Sequence, residues 1–278
     1  MVADGVLGLG VDTEGDPYNS FILQLYNQGL ISAPKFSFYL TEDNSDSRLI
    51  IGDIAESKQL EEISKNMGFC NVRQNSLYWE CSMKTININN KQHLLNTKVI
   101  FDTGTSFTII PVNDFKVIKE EFLDKANATC ALTFMNQLVC QCQNPKIFPD
   151  INLMINGYSL NIDNSQLISY EPIYEYQCRF QILIDLNLFD SWILGDNALR
   201  GVLLTYDMEN KRVSFIKTEL PREITISNNN QNNSILFIYL LGIVLSAIIV
   251  FSLYKCFYIE KGKVVDDKNI GLLEVKKV

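Results

Sequence analysis

The chain has 278 residues, enough for about two domains and a sizeable core. Its 32 acids outnumber its 24 bases, and the net charge of −8 excludes an electrostatic hold on phosphate backbones, so nucleic acid is not an expected partner. The single histidine, His93, excludes a multi-histidine zinc site and leaves a serine or cysteine triad only one ring to recruit. Hydrolysis by this chain would therefore run on carboxylates.

In chain order, Gly5 to Leu9 is an apolar run, Ser20 to Gln28 reads as a helix, and Phe36 to Leu40 and Arg48 to Gly52 read as strands. From Tyr78 to Ile88 the β-branched and aromatic content stays high, and Cys70 and Cys81 lie symmetrically about a turn near Gln74 to Leu77, the pattern of a bridged hairpin. Asn89 to Gln92 read as a polar turn that leaves His93 exposed. Asn113 to Leu123, after Pro111, reads as an amphipathic helix with Phe115, Ile118 and Phe122 on one face and its charges on a solvated one. Ile151 to Ile168 alternates again, and Leu203 to Phe215 reads as a hairpin turning at Glu209-Asn210-Lys211. The sum is a mainly β fold with a few short helices, in which Trp79 and Trp192 belong to the core.

Ser234 to Tyr254 is an uncharged apolar run that, at about 1.5 Å per residue, reaches across a hydrocarbon layer of about 30 Å as one transmembrane helix. Buried soluble helices are usually shorter and keep a polar face. Lys255, Lys261, Lys263 and Lys268 follow the run while only Arg222 closely precedes it, so the tail 255–278 is expected in the cytosol and everything before the span in a lumenal or extracellular space. Export of so large a part needs a signal peptide. Met1-Val2-Ala3-Asp4-Gly5 has neither the basic start nor the apolar stretch of one, so further sequence is expected upstream.

Six cysteines (Cys70, Cys81, Cys130, Cys140, Cys142 and Cys178) precede the run and only Cys256 follows it, a partition that suits three disulfides in an oxidising compartment. With one histidine and no CxxC pair, the close spacing of Cys140 and Cys142 does not make a zinc set. No metal or cofactor is expected. Asn127-Ala128-Thr129 is a glycosylation acceptor on the exported side, and Cys256 reads as an idle thiol rather than a lipidation site.

Lys98 to Phe101 is an apolar strand ending in Asp102-Thr103-Gly104-Thr105-Ser106, a carboxylate followed by a tight turn whose glycine admits close approach and whose hydroxyls can orient the acid. Alone, Asp-Thr-Gly is an ordinary turn. About 90 residues later stands Trp192-Ile193-Leu194-Gly195-Asp196, and near the start stands Gly5-Val6-Leu7-Gly8, so an apolar-apolar-glycine pattern occurs twice, as internal duplication would leave it. With Phe36 to Leu40, Tyr78-Trp79, Pro149-Asp150-Ile151 and Tyr206-Asp207, the chain resembles the pepsin-like aspartic proteases over residues 1 to about 218.

The resemblance implies a bilobal acid-protease fold with residues 1–58 as the remainder of an N-terminal lobe and 59–218 as a complete C-terminal lobe, followed by a linker at 219–233, the span at 234–254 and the tail. It implies an endopeptidase in which Asp102 is one of two catalytic aspartates, Thr103 locks the two turns together, Thr105 hydrogen-bonds Asp102, Gly104, Thr105 and Ser106 line the peptide-substrate groove, and Tyr78 borders a side-chain pocket. It also implies an apolar strand at each apolar-apolar-glycine site. It maps the family's C-terminal disulfide onto Cys142 and Cys178, which leaves Cys130 for Cys140. The counterpart of the Asp102 turn falls upstream of Met1, so the twin aspartate is expected there, and Asp4 and Asp196 are expected to support turns rather than replace it. A dyad is needed because one carboxyl keeps the proton while the other activates water. The competing reading is a catalytically inactive, membrane-anchored peptide-binding protein. A homodimer in which two chains each donate Asp102 is disfavoured by the asymmetric remainder at residues 1–58.

Overall fold

A computed structural model of the chain describes residues 5–11, 20–41, 46–124, 128–171, 177–186 and 190–220, all within one unit running from Met1 to Ile226. Residues 221–278, which include the apolar run at 234–254, and Asn127 lie outside the described residues. Among the described residues no helix is long and apolar enough to cross a membrane.

Local chemistry sets the first elements. Helix α1 (Phe21–Asn27) starts where the Ser20 hydroxyl accepts the Leu23 amide at 3.2 Å, a serine N-cap satisfying one of the free donors of the first turn. Strands β1 (Lys35–Tyr39) and β2 (Arg48–Ile51) form an antiparallel pair, and helix α2 (Lys58–Lys65) buries Leu60 among Tyr39, Ile54, Met67 and Leu203. Strand β3 (Gly68–Asn71) follows.

The long strands β4 (Glu80–Ile88) and β5 (Lys91–Phe101) make a hairpin through Asn89 and Asn90, both at positive φ (52° and 59°), the backbone of a tight primed turn. Strand β6 (Thr108–Pro111) leads into helix α3 (Val112–Ile118), which continues as a π-helical turn over Lys119–Asp124. Then come β7 (Cys130–Leu132), β8 (Gln137–Gln141), β9 (Ile151–Ile155), β10 (Tyr158–Ile162), helix α4 (Asn164–Leu167), β11 (Ile168–Glu171), β12 (Gln177–Asp185), β13 (Ser191–Leu194), helix α5 (Asp196–Leu199), β14 (Val202–Asp207) and β15 (Arg212–Lys217).

Two sheets result. An antiparallel sheet runs β2-β1-β14-β15-β3, and a larger mixed sheet runs β10-β9-β4-β5-β13-β6-β12-β8-β7 with β11 paired to β12. Strand β14 is buried along its whole length, as the middle strand of a covered sheet should be. The turn after it is held by Asp207, whose carboxylate accepts from the Asn210 amide and side chain at 2.9 and 2.8 Å. Ile22, Phe36, Trp79, Phe101, Trp192, Tyr206 and Phe215 belong to one core shared by both sheets. Strands β1 and β14 pair from Lys35–Asp207 to Tyr39–Leu203, so residues from the first 58 positions share a ladder with the last strands.

Four expectations are corrected. Cys70 and Cys81 are bonded, but not across a hairpin: β3 pairs with β15 and β4 with β5 and β9, so the disulfide ties one sheet to the other. The charges of the α3 segment are not all solvated: Asp114 accepts the Trp192 indole hydrogen at 2.9 Å and Glu121 is buried. The π turn adds a residue per turn and brings Glu121 inward together with Phe122 and Leu123. His93 is not exposed in a turn. The turn holds only Asn89 and Asn90, the strand resumes at Lys91, and alternation along β5 aims His93 at Glu121, its Nε2 3.4 Å from Oε1. Residues 5–11 form no strand, because a strand needs a ladder on its flanks; the Trp79 indole donates to the Leu9 carbonyl at 2.8 Å, and Leu9 and Val11 pack against the core.

Candidate active site

Strand β13 enters between β5 and β6, parallel to β5 from Ser191–Lys98 to Leu194–Phe101. The carbonyl of Leu194 accepts the Asp102 amide at 3.0 Å, so the acid stands where an apolar strand ends and its backbone is held from the side. The chain then turns through Thr103 and Gly104, closed by the Thr105 amide on the Asp102 carbonyl at 3.3 Å.

The turn also fixes the carboxylate. Gly104 N–H donates to Asp102 Oδ1 at 2.9 Å and Thr105 Oγ1 donates to Oδ2 at 2.6 Å, one donor for each oxygen. A donor on each oxygen holds the carboxylate in one orientation. Behind the turn, Asp196 N–H donates to the Thr105 carbonyl at 2.6 Å and the Asp196 carboxylate accepts from Arg200 at 2.6 Å. Gly195 is required here: a Cβ on it would lie 2.4 Å from the Phe107 carbonyl oxygen and 2.5 Å from that of Thr105.

Asp102, Thr103 and Gly104 form one side of a cleft of about 480 Å³ whose other walls are largely apolar: Leu7, Leu9, Phe36, Phe38, Leu77, Tyr78, Trp79, Ile100 and Tyr206. Tyr78 and Leu77 are exposed at its lip, while Phe36 stacks on Tyr206 with ring centres 4.7 Å apart at its base. Tyr206 is fully buried and its hydroxyl donates to the Phe101 carbonyl at 3.4 Å; burial, and then the Asp102 charge, push its phenol upward, so it stays neutral. A hollow of about 550 Å³ elsewhere, lined by Asn87, Asn89, Asn90, Gln92, Asp150 and Asn152, is walled mainly by polar side chains. Among the described residues no group of histidine, cysteine and acidic side chains is placed to hold a metal.

The structure thus brings Asp102, Thr103, Gly104 and Tyr78 to one cleft, with Thr105 on the carboxylate and Ser106 exposed at the turn. Disulfides join Cys70 to Cys81, Cys130 to Cys140 and Cys142 to Cys178. The resemblance places the strand at 192–196, with Leu194 and Gly195, beneath the Asp102 turn, whereas the sequence assigns Tyr206 no role beside Asp102. The apolar-apolar-glycine repeat and the Tyr206-Asp207 pair were the signals that pointed to them.

A family model for eukaryotic aspartyl proteases matches residues 1–218. The chain is 27% identical over 238 residues to vacuolar protease A of Aspergillus fumigatus, covering 78% of this chain and 53% of that protein. It is 29% identical over 219 residues to pepsin A of Suncus murinus, covering 76% and 53%, and 28% identical over 219 residues to a pregnancy-associated glycoprotein of Equus caballus, with the same coverage. It spans about half the length of the curated relatives it matches. On the Asp102 turn, the mainly β architecture and this match, the chain belongs to the pepsin-like family of eukaryotic aspartyl proteases.

Proposed function

We propose that the chain is the Asp102-bearing part of a membrane-anchored aspartic endopeptidase, working with a second aspartate outside these 278 residues. The observation that carries the reading is the Asp102 carboxylate, held by Gly104 and Thr105 at the wall of an apolar cleft that suits a peptide's side chains. In the paired site Asp102 or its twin is ionised and takes a proton from water as the water oxygen attacks the scissile carbonyl. The other carboxyl gives its proton to the carbonyl oxygen, forming a neutral diol. Return of protons on collapse delivers one to the leaving amine and breaks the C–N bond. Thr103, which borders the cleft, would join this turn to the twin, Gly104, Thr105 and Ser106 would flank the bound peptide, and Tyr78 would border a side-chain pocket.

The apolar run 234–254 would anchor the protein as a single-pass membrane protein, with the protease part lumenal or extracellular and Asn127 open to glycosylation. A second reading, an anchored peptide-binding protein without turnover, is favoured by the single Asp-Thr-Gly triplet in the chain. The test is to sequence the complete transcript, express its full product and assay cleavage of an unfolded protein at acidic pH. A second Asp-Thr-Gly turn, cleavage blocked by a mimic of the tetrahedral diol, and loss of measurable turnover in Asp102→Asn are expected. An intact reading frame without a second acid, whose product binds peptide but does not cleave it, would establish the inactive form.

A further inference from the structure

The β7–β8 hairpin carries an apolar tip that the cleft does not use. Phe134 is 95% exposed, Met135 63%, Leu132 49%, and Leu186, at the end of β12, 45%. Central turn positions ordinarily take Gly, Asn, Asp or Ser, so Phe-Met there is costly in water. The tip is also firmly built. Thr133 N–H donates to the Gln137 carbonyl at 2.8 Å and Asn136 N–H to the Thr133 carbonyl at 3.0 Å, with Asn136 at positive φ. Cys130 and Cys140 are bonded at its base, and Ile184 N–H donates to the Asn136 carbonyl at 3.1 Å, which holds the tip against β12 and its Leu186. From Ala128 to Pro145 the chain has no charged residue, although the protein carries a net charge of −8.

We propose that this turn is a second membrane contact, with Phe134 and Met135 entering the interfacial layer of the bilayer that holds residues 234–254. The proposal rests on the reading of that run as a membrane span. Chain length allows it: residues 221–233 lie between the described fold and the apolar run, at most about 45 Å of chain if fully extended. A bilayer also fits the shape of the patch better than a protein does. A specific protein interface covers about 800 Å² on each partner, more than a narrow turn presents, whereas the boundary of headgroups and acyl chains accepts isolated apolar side chains to a depth of about 5–10 Å. The absence of charged residues on the hairpin means that no ion has to be desolvated on entry. Once one contact is anchored, a weak second contact is strengthened by the high local concentration of the surface.

The experiment reconstitutes the full chain in phosphatidylcholine vesicles and compares it with the Phe134→Trp variant. Trp79 and Trp192 are buried and supply a constant background. The emission added at position 134 is expected to be blue-shifted and to be lost when the acyl chains are brominated, and Met135→Trp should behave alike. Flotation with the vesicles after carbonate washing tests the span separately. If the chain floats but the added emission stays red, reachable by iodide and unquenched by bromine, the hairpin contact is wrong while the anchor stands. Protection from iodide without bromine quenching would mean a protein covers the tip and would equally overturn it. A chain that does not float defeats both readings.

Discussion

Gly195 and Phe107 are in backbone contact so close that a Cβ on the glycine would lie 2.4 Å from the Phe107 carbonyl oxygen. The oxygens that such a Cβ would meet, those of Phe107 and Thr105, belong to main chain, and the same stretch carries the Asp196 N–H bond to Thr105 that backs the acid's turn. Gly195→Ala therefore has no flexible neighbour to push aside. It should lower unfolding free energy by about 1–3 kcal/mol or more, the scale of overpacking. Gly104→Ala is the contrast, since its Cβ would meet only Asp102 Oδ1, at 3.1 Å. Urea unfolding of the two variants should show a large shift of midpoint for the first and a small one for the second. Equal shifts would mean that the β13 strand is not pinned beneath the turn.

How much of this was legible in the sequence depends on the range of each interaction. The Ser20 cap, the Asn210 hairpin turn and the Asp102-Thr-Gly turn are encoded within a few residues, and they form where the local pattern places them. The partner of β3 is β15, far along the chain, and no local signal distinguishes that pairing from a hairpin with β4. Glu121 was misplaced for a different reason: helical periodicity assumes a constant turn, and the π turn after Ile118 rotates everything beyond it. At the site, the carboxylate and its two donors were readable, while the apolar floor was not, because Phe36, Trp79 and Tyr206 converge from separate strands and loops.

The Cys70–Cys81 bond joins β3 of one sheet to β4 of the other with a sequence separation of 11. Closing a loop of that size in the unfolded chain is worth about 2–3 kcal/mol in the chain-entropy description. Both residues are buried, so the paired change Cys70→Ala with Cys81→Ala should destabilise by at least that amount in denaturant titrations without reductant. An unchanged midpoint would show that the sheets are held together by their shared core alone.

Glu121 has a fully buried side chain, and Lys91 Nζ donates to its Oε1 at 2.9 Å from a half-exposed position. The pair is therefore unequal. Removing the lysine charge with Lys91→Met leaves a buried carboxylate with one cation fewer, whereas Glu121→Gln frees a lysine that simply turns to water. The melting temperature should fall more for Lys91→Met than for Glu121→Gln, and the double variant should recover part of the loss. The reverse order would show that the carboxylate is held by its other contacts.

Asp114 should give the fold a stabilising contribution that is strongest in acid. Burial raises its carboxyl above the ordinary value of 3.8, and hydrogen bonds from Trp192 and Thr97 offset this only in part. The folded protein then holds the Asp114 proton more tightly than the unfolded chain does, so this contribution is complete below the unfolded value and is lost as pH rises through the folded one. Asp53 has the opposite sign: although its burial acts upward, the Lys35 ammonium and the Ala55 amide lower its carboxyl. Its contribution is present above the unfolded value and disappears as pH falls through the folded one. Urea midpoints measured from about pH 3 to about pH 6, the range that brackets carboxylate titration, should separate the two. The advantage of the parent over Asp114→Asn should shrink as pH rises, and its advantage over Asp53→Asn should grow. If Asp114→Asn instead loses ground toward neutrality, the indole bond outweighs burial and Asp114 is held as a carboxylate.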